Sequence, residues 1–229
     1  MQRCIVVVLY HGSTGIINPP VFGAGKATNG YGRGFYCTES PELAREWACA
    51  RGTDGFANIY HFDLSGLRIL DLNSGEYSIL TWLAILAKYR TYWENGNISK
   101  EAKDYLNRHF FISPEKYDVV RGHRTDNSYF TFAKNFVGNG ISLEQLKAAM
   151  HLGALGEQIV LKSRKAFAQI TYVGALTAKS DKYARQAQER DKEARMMYRK
   201  LTKESSYSKG IFMADIIRER MTADDPRLQ

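Results

Sequence analysis

The sequence lacks a long apolar run. A transmembrane helix needs about 20 consecutive, predominantly apolar residues, and no segment of this chain reaches that length without charged residues. The apolar stretch at residues 4–9 is short, and no small-residue cleavage site follows it, which argues against a signal peptide. We therefore expect a cytoplasmic protein that does not associate with a membrane.

Cysteine is scarce, and histidine is not clustered. The three cysteines, Cys4, Cys37 and Cys49, are odd in number and show no CxxC spacing, which favours buried free thiols over a disulfide framework. The five histidines show no HxH or i,i+4 spacing. Because metal sites in proteins usually combine such closely spaced ligands, we predict no metal site.

Acidic residues are underrepresented only in the last part of the chain. Residues 1–160 contain 16 Lys and Arg against 15 Asp and Glu, whereas residues 161–229 contain 16 against 9. A basic tail can bind nucleic acid or an acidic partner. The mixed charges of DKYARQAQERDKEAR also suit a solvated helix face supported by i,i+4 pairs, and this second interpretation is the favoured one.

The remaining composition is that of a folded domain. With 229 residues, of which 44% are hydrophobic, the chain can bury a sizeable core. Hydrophobic periodicity and turn residues predict the following elements: strands at 4–10, 35–38, 57–64, 67–72, 117–122, 157–163 and 170–173, and helices at 41–50, 78–88 with an extension to about 106, 129–137, 142–153, 180–203 and 212–221. Few of these elements follow a βαβ order, which indicates an α+β fold.

Two segments near the N-terminus place polar and aromatic residues at predicted strand ends. The strand at residues 4–10 has an unbroken apolar run, so we expect it to be buried on both faces, and it leads into His11-Gly12-Ser13. A glycine-rich loop at residues 14–34 follows, and a loop of this length is usually functional. It leads to the segment GRGFYCT, in which Tyr36 precedes Trp47 by eleven residues.

These segments, followed by Glu157-Gln158-Ile159-Val160 late in the chain, resemble the ADP-ribosyltransferase superfamily. The order of motifs is similar to the His-Tyr-Glu branch, which includes diphtheria toxin and the poly(ADP-ribose) polymerases. The whole chain most resembles a bacterial family of ADP-ribosyltransferase-like proteins, in which YDVVRGHRTDNSYF, LGALGEQIV and ADIIRERM recur in kind. Members of that family are often encoded beside a small partner, as in toxin–antitoxin pairs.

The resemblance implies an NAD-binding domain with a split β-sheet and inserted helices at residues 1–175, followed by a C-terminal helical extension at residues 176–229. It implies that the NAD substrate binds in a cleft. Tyr36 and Trp47 would stack on the nicotinamide ring, while the backbone of Gly12 would bind its amide, because glycine allows close approach. His11 would bind a ribose hydroxyl of the adenosine half, and Ser13 would support the amide.

The resemblance also assigns the charged residues of the cleft. Glu157 would accept the 2′-hydroxyl of the nicotinamide ribose and stabilise the developing cation, so the catalytic set would be His11, Tyr36 and Glu157. Arg33, or Lys26, would contact the pyrophosphate. Gln158 is the alternative for the Glu157 position, because neighbouring strand residues face opposite sides and only one of the two can face the cleft.

The activity implied is transfer of ADP-ribose from NAD to a macromolecule, protein or nucleic acid, by a toxin with a small antitoxin as its partner. Three alternatives stay open at this point. They are an NAD glycohydrolase, a module that binds NAD, ADP-ribose or a partner without turnover, and an RNA 2′-phosphotransferase, whose His and Arg set is not found here.

Two further features allow more than one interpretation. A polar cluster at a predicted strand end could contact the acceptor or could be turn chemistry with an Arg–Asp pair. It consists of Asp118, Arg121, Arg124, Asp126 and Asn127. An apolar stripe on the last helix either packs on the body of the protein, which is the default, or binds the antitoxin. It consists of Met213, Ile216, Ile217 and Met221.

Overall fold

The computed structural model describes residues 5–90, 97–125, 127–152, 156–204 and 210–228. The strands in these ranges are β1 (Val6–Ser13), β2 (Phe35–Cys37), β3 (Gly55–Asp63), β4 (Ile69–Asp71), β5 (Val119–His123), β6 (Glu157–Leu161) and β7 (Ile170–Ala178). The α-helices are α1 (Pro41–Ala48), α2 (Ile79–Tyr89), α3 (Asn97–His109), α4 (Asn127–Val137), α5 (Leu143–Ala149), α6 (Arg164–Ala168), α7 (Ser180–Glu204) and α8 (Met213–Arg218).

The strands form two sheets. One is antiparallel with the order β1-β3-β7, and the other has the order β2-β6-β5-β4, in which β4 pairs with β5 in parallel and the other pairs are antiparallel. Tyr10 and Thr38 join the sheets through two backbone hydrogen bonds of 2.8 and 2.9 Å. The predicted α+β fold is confirmed.

The core has two main parts. Apolar side chains from both sheets, among them Leu9, Phe35, Tyr60 and Ile159, pack against one another between the sheets. The larger part surrounds α2, whose residues from Leu80 to Ala87 are all buried, as expected of a helix that is apolar on every side. The second sheet therefore lies between the first sheet and a layer of helices.

Local sequence signals explain where the helices begin. Ser40 caps α1, and its hydroxyl accepts a hydrogen bond of 3.2 Å from the backbone N–H of Leu43. Ser142 and Gln145 form a capping box at the start of α5, the helix predicted to begin at residue 142. The α1 cap matters for the candidate site, because α1 positions Trp47.

The prediction that the first strand is buried on both faces is wrong. Val6 is 54% exposed and Val8 is 41% exposed, whereas Leu9 is fully buried. β1 lies at the edge of its sheet, and α1 packs on it near Gly12. One face of the strand is therefore uncovered at its N-terminal end.

Several boundaries also differ from the prediction. α2 ends at Tyr89 instead of extending towards residue 106, and α3 is a separate helix. α5 ends at Ala149, and the predicted end at residue 153 lies outside the described residues. The short helix α6 was missed. Cys37 and Cys49 are buried free thiols, as predicted, and Cys4 lies outside the described residues.

The C-terminal helices pack on the same core as the rest of the chain. Strand β7 continues to Ala178, so the expected boundary between residues 175 and 176 falls within a strand. Met213 and Ile216 are fully buried and Met221 is 3% exposed, while Ile217 is partly buried against the same core. The apolar stripe of the last helix is thus used in packing on the body. None of the described helices combines the length and apolar character needed to cross a membrane.

Candidate functional site

A cleft of about 630 Å³ opens between β1, β2 and α1. His11 and Gly12 at the end of β1, Tyr36 of β2, Trp47 of α1 and Gln158 of β6 all line it. The loop between β1 and β2 contributes further lining residues. The fold therefore brings together in one cleft His11, Gly12, Tyr36 and Trp47, and with them the two alternatives, Lys26 for the pyrophosphate and Gln158 for the Glu157 position.

The imidazole of His11 is fixed in one tautomer. Its Nδ1 lies 2.7 Å from the backbone carbonyl oxygen of Tyr36, and because a carbonyl can only accept, Nδ1 carries the proton. The ring stacks on Phe35 with 4.4 Å between centroids. Burial lowers the pKa of His11 below its usual value. A neutral His11 thus offers Nε2 as a hydrogen-bond acceptor.

Gly12 has both a packing role and an open backbone. A Cβ at this position would lie 2.0 Å from the carbonyl oxygen of Ala44 in α1, so only glycine lets the helix approach the strand. Tyr10 directs its backbone N–H and C=O away from β3, towards Thr38. Because strand residues two apart direct these groups to the same edge, Gly12 presents a donor and an acceptor at the open edge of β1.

Tyr36 is held rigidly by the loop that precedes it. Its hydroxyl donates to the carbonyl of Gly32 at 2.7 Å and accepts from the backbone N–H of Tyr31 at 3.0 Å. Burial raises the pKa of Tyr36 well above its usual value. The hydroxyl therefore stays protonated, and Tyr36 acts in the cleft as an aromatic surface.

Trp47 and Arg90 supply hydrogen-bond donors that lack acceptors. The guanidinium carbon of Arg124 lies 5.0 Å from the centre of the Trp47 ring. The indole Nε1 of Trp47 and the Nε of Arg90 are buried and have no partner in the described part of the chain. Buried donors without acceptors are unfavourable, and a ligand in the cleft would reach these two atoms only after the side chains turn to expose them.

The positive charge of the cleft comes from residues other than Arg33. Arg33 is exposed and does not line the cleft, and its backbone carbonyl accepts from Lys162 at 2.6 Å. Among the described residues, the charged side chains of the lining are Lys26, Arg51 and Arg90, and no carboxylate contributes. This charge suits an anionic ligand.

Ser13 does not line the cleft either. Its hydroxyl donates to the carbonyl of Gly15 at 2.6 Å and accepts from the Asn58 amide at 2.8 Å. The expected support of a nicotinamide amide by Ser13 is therefore not found in this geometry. The side chain instead stabilises the turn that follows β1.

Of the two neighbours on β6, Gln158 faces the cleft. Gln158 is 7% exposed and lines the cleft. Its Oε1 lies 3.5 Å from the hydroxyl of Thr125, a marginal hydrogen bond, and its Nε2 donates to no other side chain or backbone group among the described residues. The carboxamide is therefore available to a ligand, but it carries no charge.

Glu157 lies outside this cleft, contrary to its expected position. Its carboxylate accepts from Arg121 Nε at 2.9 Å and from Asn73 Nδ2 at 2.7 Å. Arg121 also contacts Glu39 at 3.2 Å. Glu157 instead lines a second cavity of about 550 Å³. The pairing with Arg121 holds the carboxylate on that side.

The predicted polar cluster around β5 is divided among different partners. Asp118 accepts from the backbone N–H of Arg68 at 2.8 Å, Arg121 contacts Glu157, and Arg124 lies over Trp47. Asp126 lies outside the described residues, and the side chain of Asn127 is not described. The described residues contain no group of His, Cys, Asp or Glu side chains arranged to hold a metal.

A family model described as "Protein of unknown function (DUF3990)" matches residues 7–172. The chain belongs to the DUF3990 family. No curated protein and no solved structure matches the chain. The DUF3990 segment contains all the residues that line the cleft, so the lining belongs to the family domain.

Sequence reasoning missed Arg51, Arg90 and Thr125 in the cleft lining. Arg90 directly follows the apolar helix α2, and Thr125 directly follows the polar segment at the end of β5. A polar residue at the end of a buried element is a weak signal for a site. The one signal in the sequence that could have indicated Arg90 is its positive charge directly after the largely apolar segment at residues 80–89.

Proposed function

We propose that the chain binds NAD in the cleft of His11, Tyr36, Trp47 and Gln158 and transfers ADP-ribose to a macromolecular acceptor, releasing nicotinamide. The observation that carries this proposal is the convergence of His11, Gly12, Tyr36 and Trp47, from separate segments, on one cleft. A bacterial toxin that acts in the cytoplasm and is neutralised by a small antitoxin is the biological setting that we propose for this activity.

The chemistry of the lining fits NAD as substrate. The pyrophosphate is anionic, and the lining carries the positively charged side chains of Lys26, Arg51 and Arg90. Neutral His11 can accept a bond from a ribose hydroxyl through Nε2, and the open edge at Gly12 offers the donor and acceptor that a carboxamide requires.

The proposed reaction breaks the bond between nicotinamide and ribose through a state with positive charge on the ribose. Aromatic surfaces at Tyr36 and Trp47 would hold the nicotinamide plane. Gln158 would bind the ribose in the position that the resemblance gave to Glu157. A carboxamide orients a hydroxyl by hydrogen bonds but supplies no negative charge, so this cleft would rely on positioning more than on electrostatic stabilisation.

The carboxamide of Gln158 also favours a second candidate, a module that binds NAD without turnover. In that case NAD would bind but would not be consumed. The cleft lacks a described carboxylate that could stabilise the cation or activate water, which also makes the NAD glycohydrolase the weaker alternative.

Incubation of the purified protein with adenine-labelled NAD and a bacterial lysate tests the proposal. Label on a macromolecule with the unmodified protein, lost with Gln158→Ala, would establish transfer. The matched control is His61→Ala, an exposed histidine on β3. Free ADP-ribose without labelled macromolecule would indicate a glycohydrolase, and NAD binding without consumption would indicate the binding module.

A parallel Glu157→Ala variant decides between the two neighbours on β6. If Glu157→Ala abolishes NAD binding while Gln158→Ala leaves it intact, the assignment of Gln158 is reversed. Calorimetric titration with NAD separates these cases without requiring that the acceptor be known.

A further inference from the structure

The second cavity, of about 550 Å³, has the composition of a ligand site of its own. It lies on the other side of the paired ends of β5 and β6, where Gln158 lines the NAD cleft and Glu157 lines this cavity. The lining combines aromatic rings, among them Tyr77, His123 and Tyr129, with the charged side chains of Lys147 and Glu157.

Aromatic rings form much of the wall. The ring of His123 lies 5.5 Å from that of Tyr129 and 6.5 Å from that of His151, with steeply inclined planes in both pairs. Tyr77 and the apolar side chain of Met150 contribute further surface. Planar heteroaromatic ligands gain affinity by stacking on such rings, so the wall suits a flat ring.

The same wall carries hydrogen-bonding groups that other side chains do not satisfy. No hydrogen bond to the ring nitrogens of His123 or His151 is found among the described residues. Burial lowers the pKa of His123 to about 4, so its ring is neutral near pH 7 and offers one donor and one acceptor. A purely apolar ligand would leave these groups unsatisfied.

The carboxylate of Glu157 adds acceptors at one side of the cavity. Among the described residues, Oε1 accepts a hydrogen bond from Asn73 and Oε2 accepts one from Arg121. Because a carboxylate oxygen has two lone pairs, each oxygen can accept a further hydrogen bond from a ligand. Because Arg121 already balances its charge and Lys147 lines the same cavity, a cationic ligand is not favoured. A neutral N–H donor is the better complement.

We propose that this cavity binds a nucleobase that carries an exocyclic amino group, with the base among the aromatic rings and its amino group donating to Glu157. The site is separate from the NAD cleft, and the proposal does not depend on NAD binding there. The base can belong to a free nucleotide or to single-stranded nucleic acid, since both present the same ring.

Cytidine and uridine form a matched pair of probes, because cytosine carries an amino group where uracil carries a carbonyl, and neither base is part of NAD. We expect isothermal titration to show cytidine binding about tenfold more tightly than uridine, the discrimination expected from one well-placed hydrogen bond to a base edge. Glu157→Gln should reduce that ratio towards one, because a carboxamide can pair with either base.

Two further variants keep the test independent of folding and of the cleft. His151 is exposed, so His151→Ala should fold normally and weaken both nucleosides, whereas the control His61→Ala should bind them as the unmodified protein does. Trp47→Ala alters the NAD cleft and should leave cytidine binding unchanged. If Trp47→Ala loses cytidine binding while His151→Ala retains it, the proposal is overturned. No binding of either nucleoside, or equal binding of both, would also overturn it.

The source of the base is decided by titration with a short oligocytidine RNA beside cytidine. Tighter binding of the RNA, with the same sensitivity to Glu157→Gln, would identify single-stranded nucleic acid as the source. Equal affinities would identify the free nucleotide. Both outcomes support a base site and differ only in the physiological ligand.

Discussion

The Nδ1 atom of His11 lies 2.7 Å from the backbone carbonyl oxygen of Tyr36. This bond connects β1 of the first sheet to β2 of the second, next to the backbone pairing of Tyr10 with Thr38. It fixes the direction of the imidazole. The same bond leaves Nε2 as the only ring acceptor. The position of His11 in the cleft is thus set by the backbone of the residue whose ring also lines it.

A His11→Phe variant tests the role of that acceptor. Phenylalanine preserves a ring that can stack on Phe35 but removes Nε2, so we expect the affinity for NAD to fall about tenfold through the loss of one hydrogen bond to a ribose hydroxyl. Calorimetric titration measures the change, and His61→Phe serves as the exposed control. An unchanged affinity in His11→Phe would remove His11 from the proposed binding set.

Gly12→Ala should destabilise the fold. The new Cβ would lie 2.0 Å from the carbonyl oxygen of Ala44 and 2.8 Å from the backbone nitrogen of Ala48, so α1 must shift. We expect a loss of about 1–3 kcal/mol in the free energy of unfolding, typical of overpacking. Urea denaturation provides the measurement.

Gly15→Ala is the matched control, since a Cβ at Gly15 would meet no atom within 4 Å. The free energy of unfolding should change by less than about 0.5 kcal/mol in this variant. Equal destabilisation in both variants would show that the close approach of α1 is not the cause.

The cleft could be predicted from the sequence only in part, for physical reasons. The resemblance assigned His11, Tyr36 and Trp47 to one cleft, and the correctly predicted strands near residues 4–10 and 35–38 and the helix near 41–50 position them. The choice between Glu157 and Gln158 depends on which face of β6 packs against which layer, and the two-residue period of a strand does not reveal that. Arg90 was missed because its position depends on the tertiary packing of α2.

The exposed face of β1 shows the same limit on the fold. An unbroken apolar run predicts a strand buried on both sides, but the neighbours of a strand are set by sheet order. Sheet order places β1 at an edge, with Val6 and Val8 largely uncovered. The helix starts at Ser40 and Ser142, by contrast, depend on local chemistry and were predicted correctly.

The buried imidazole of His123 predicts how stability depends on pH. Its pKa falls from 6.5 to about 4 in the folded protein, mainly through burial. The charge of Glu157 raises the pKa and the nearby His151 lowers it further. Between these values the unfolded chain binds a proton that the folded protein does not, so stability decreases as the pH falls from about 6.5 to 4. One such group contributes at most about 1.4 kcal/mol per pH unit.

Urea denaturation at several pH values, with the unmodified protein and His123→Phe, measures this contribution. Phenylalanine retains a ring beside Trp82 and Tyr129 but does not titrate. We expect a shallower loss of stability below pH 6.5 in the variant, with a remaining slope from His11, whose pKa is also lowered by burial. Identical slopes would show that His123 does not titrate as the structure indicates.

An ion pair between a partly exposed arginine and a buried glutamate connects α7 to α1, the helix that carries Trp47. Arg190 Nη2 lies 2.9 Å from Glu46 Oε1, and its Nε lies 3.2 Å from Oε2. Glu46 is only 3% exposed, so removal of Arg190 would leave a buried carboxylate without its main partner. We expect Arg190→Ala to lower the free energy of unfolding by about 3–5 kcal/mol.

Two comparisons make the cause of that loss measurable by urea denaturation. Arg218→Ala removes an ion pair whose arginine is 69% exposed, and it should change stability by less than about 1 kcal/mol. The double variant Glu46→Leu with Arg190→Leu removes both charges and should recover most of the loss, because an apolar pair leaves no buried charge unpaired. If the double variant is as unstable as Arg190→Ala, packing of the arginine stem, and not its charge, holds α7 against α1.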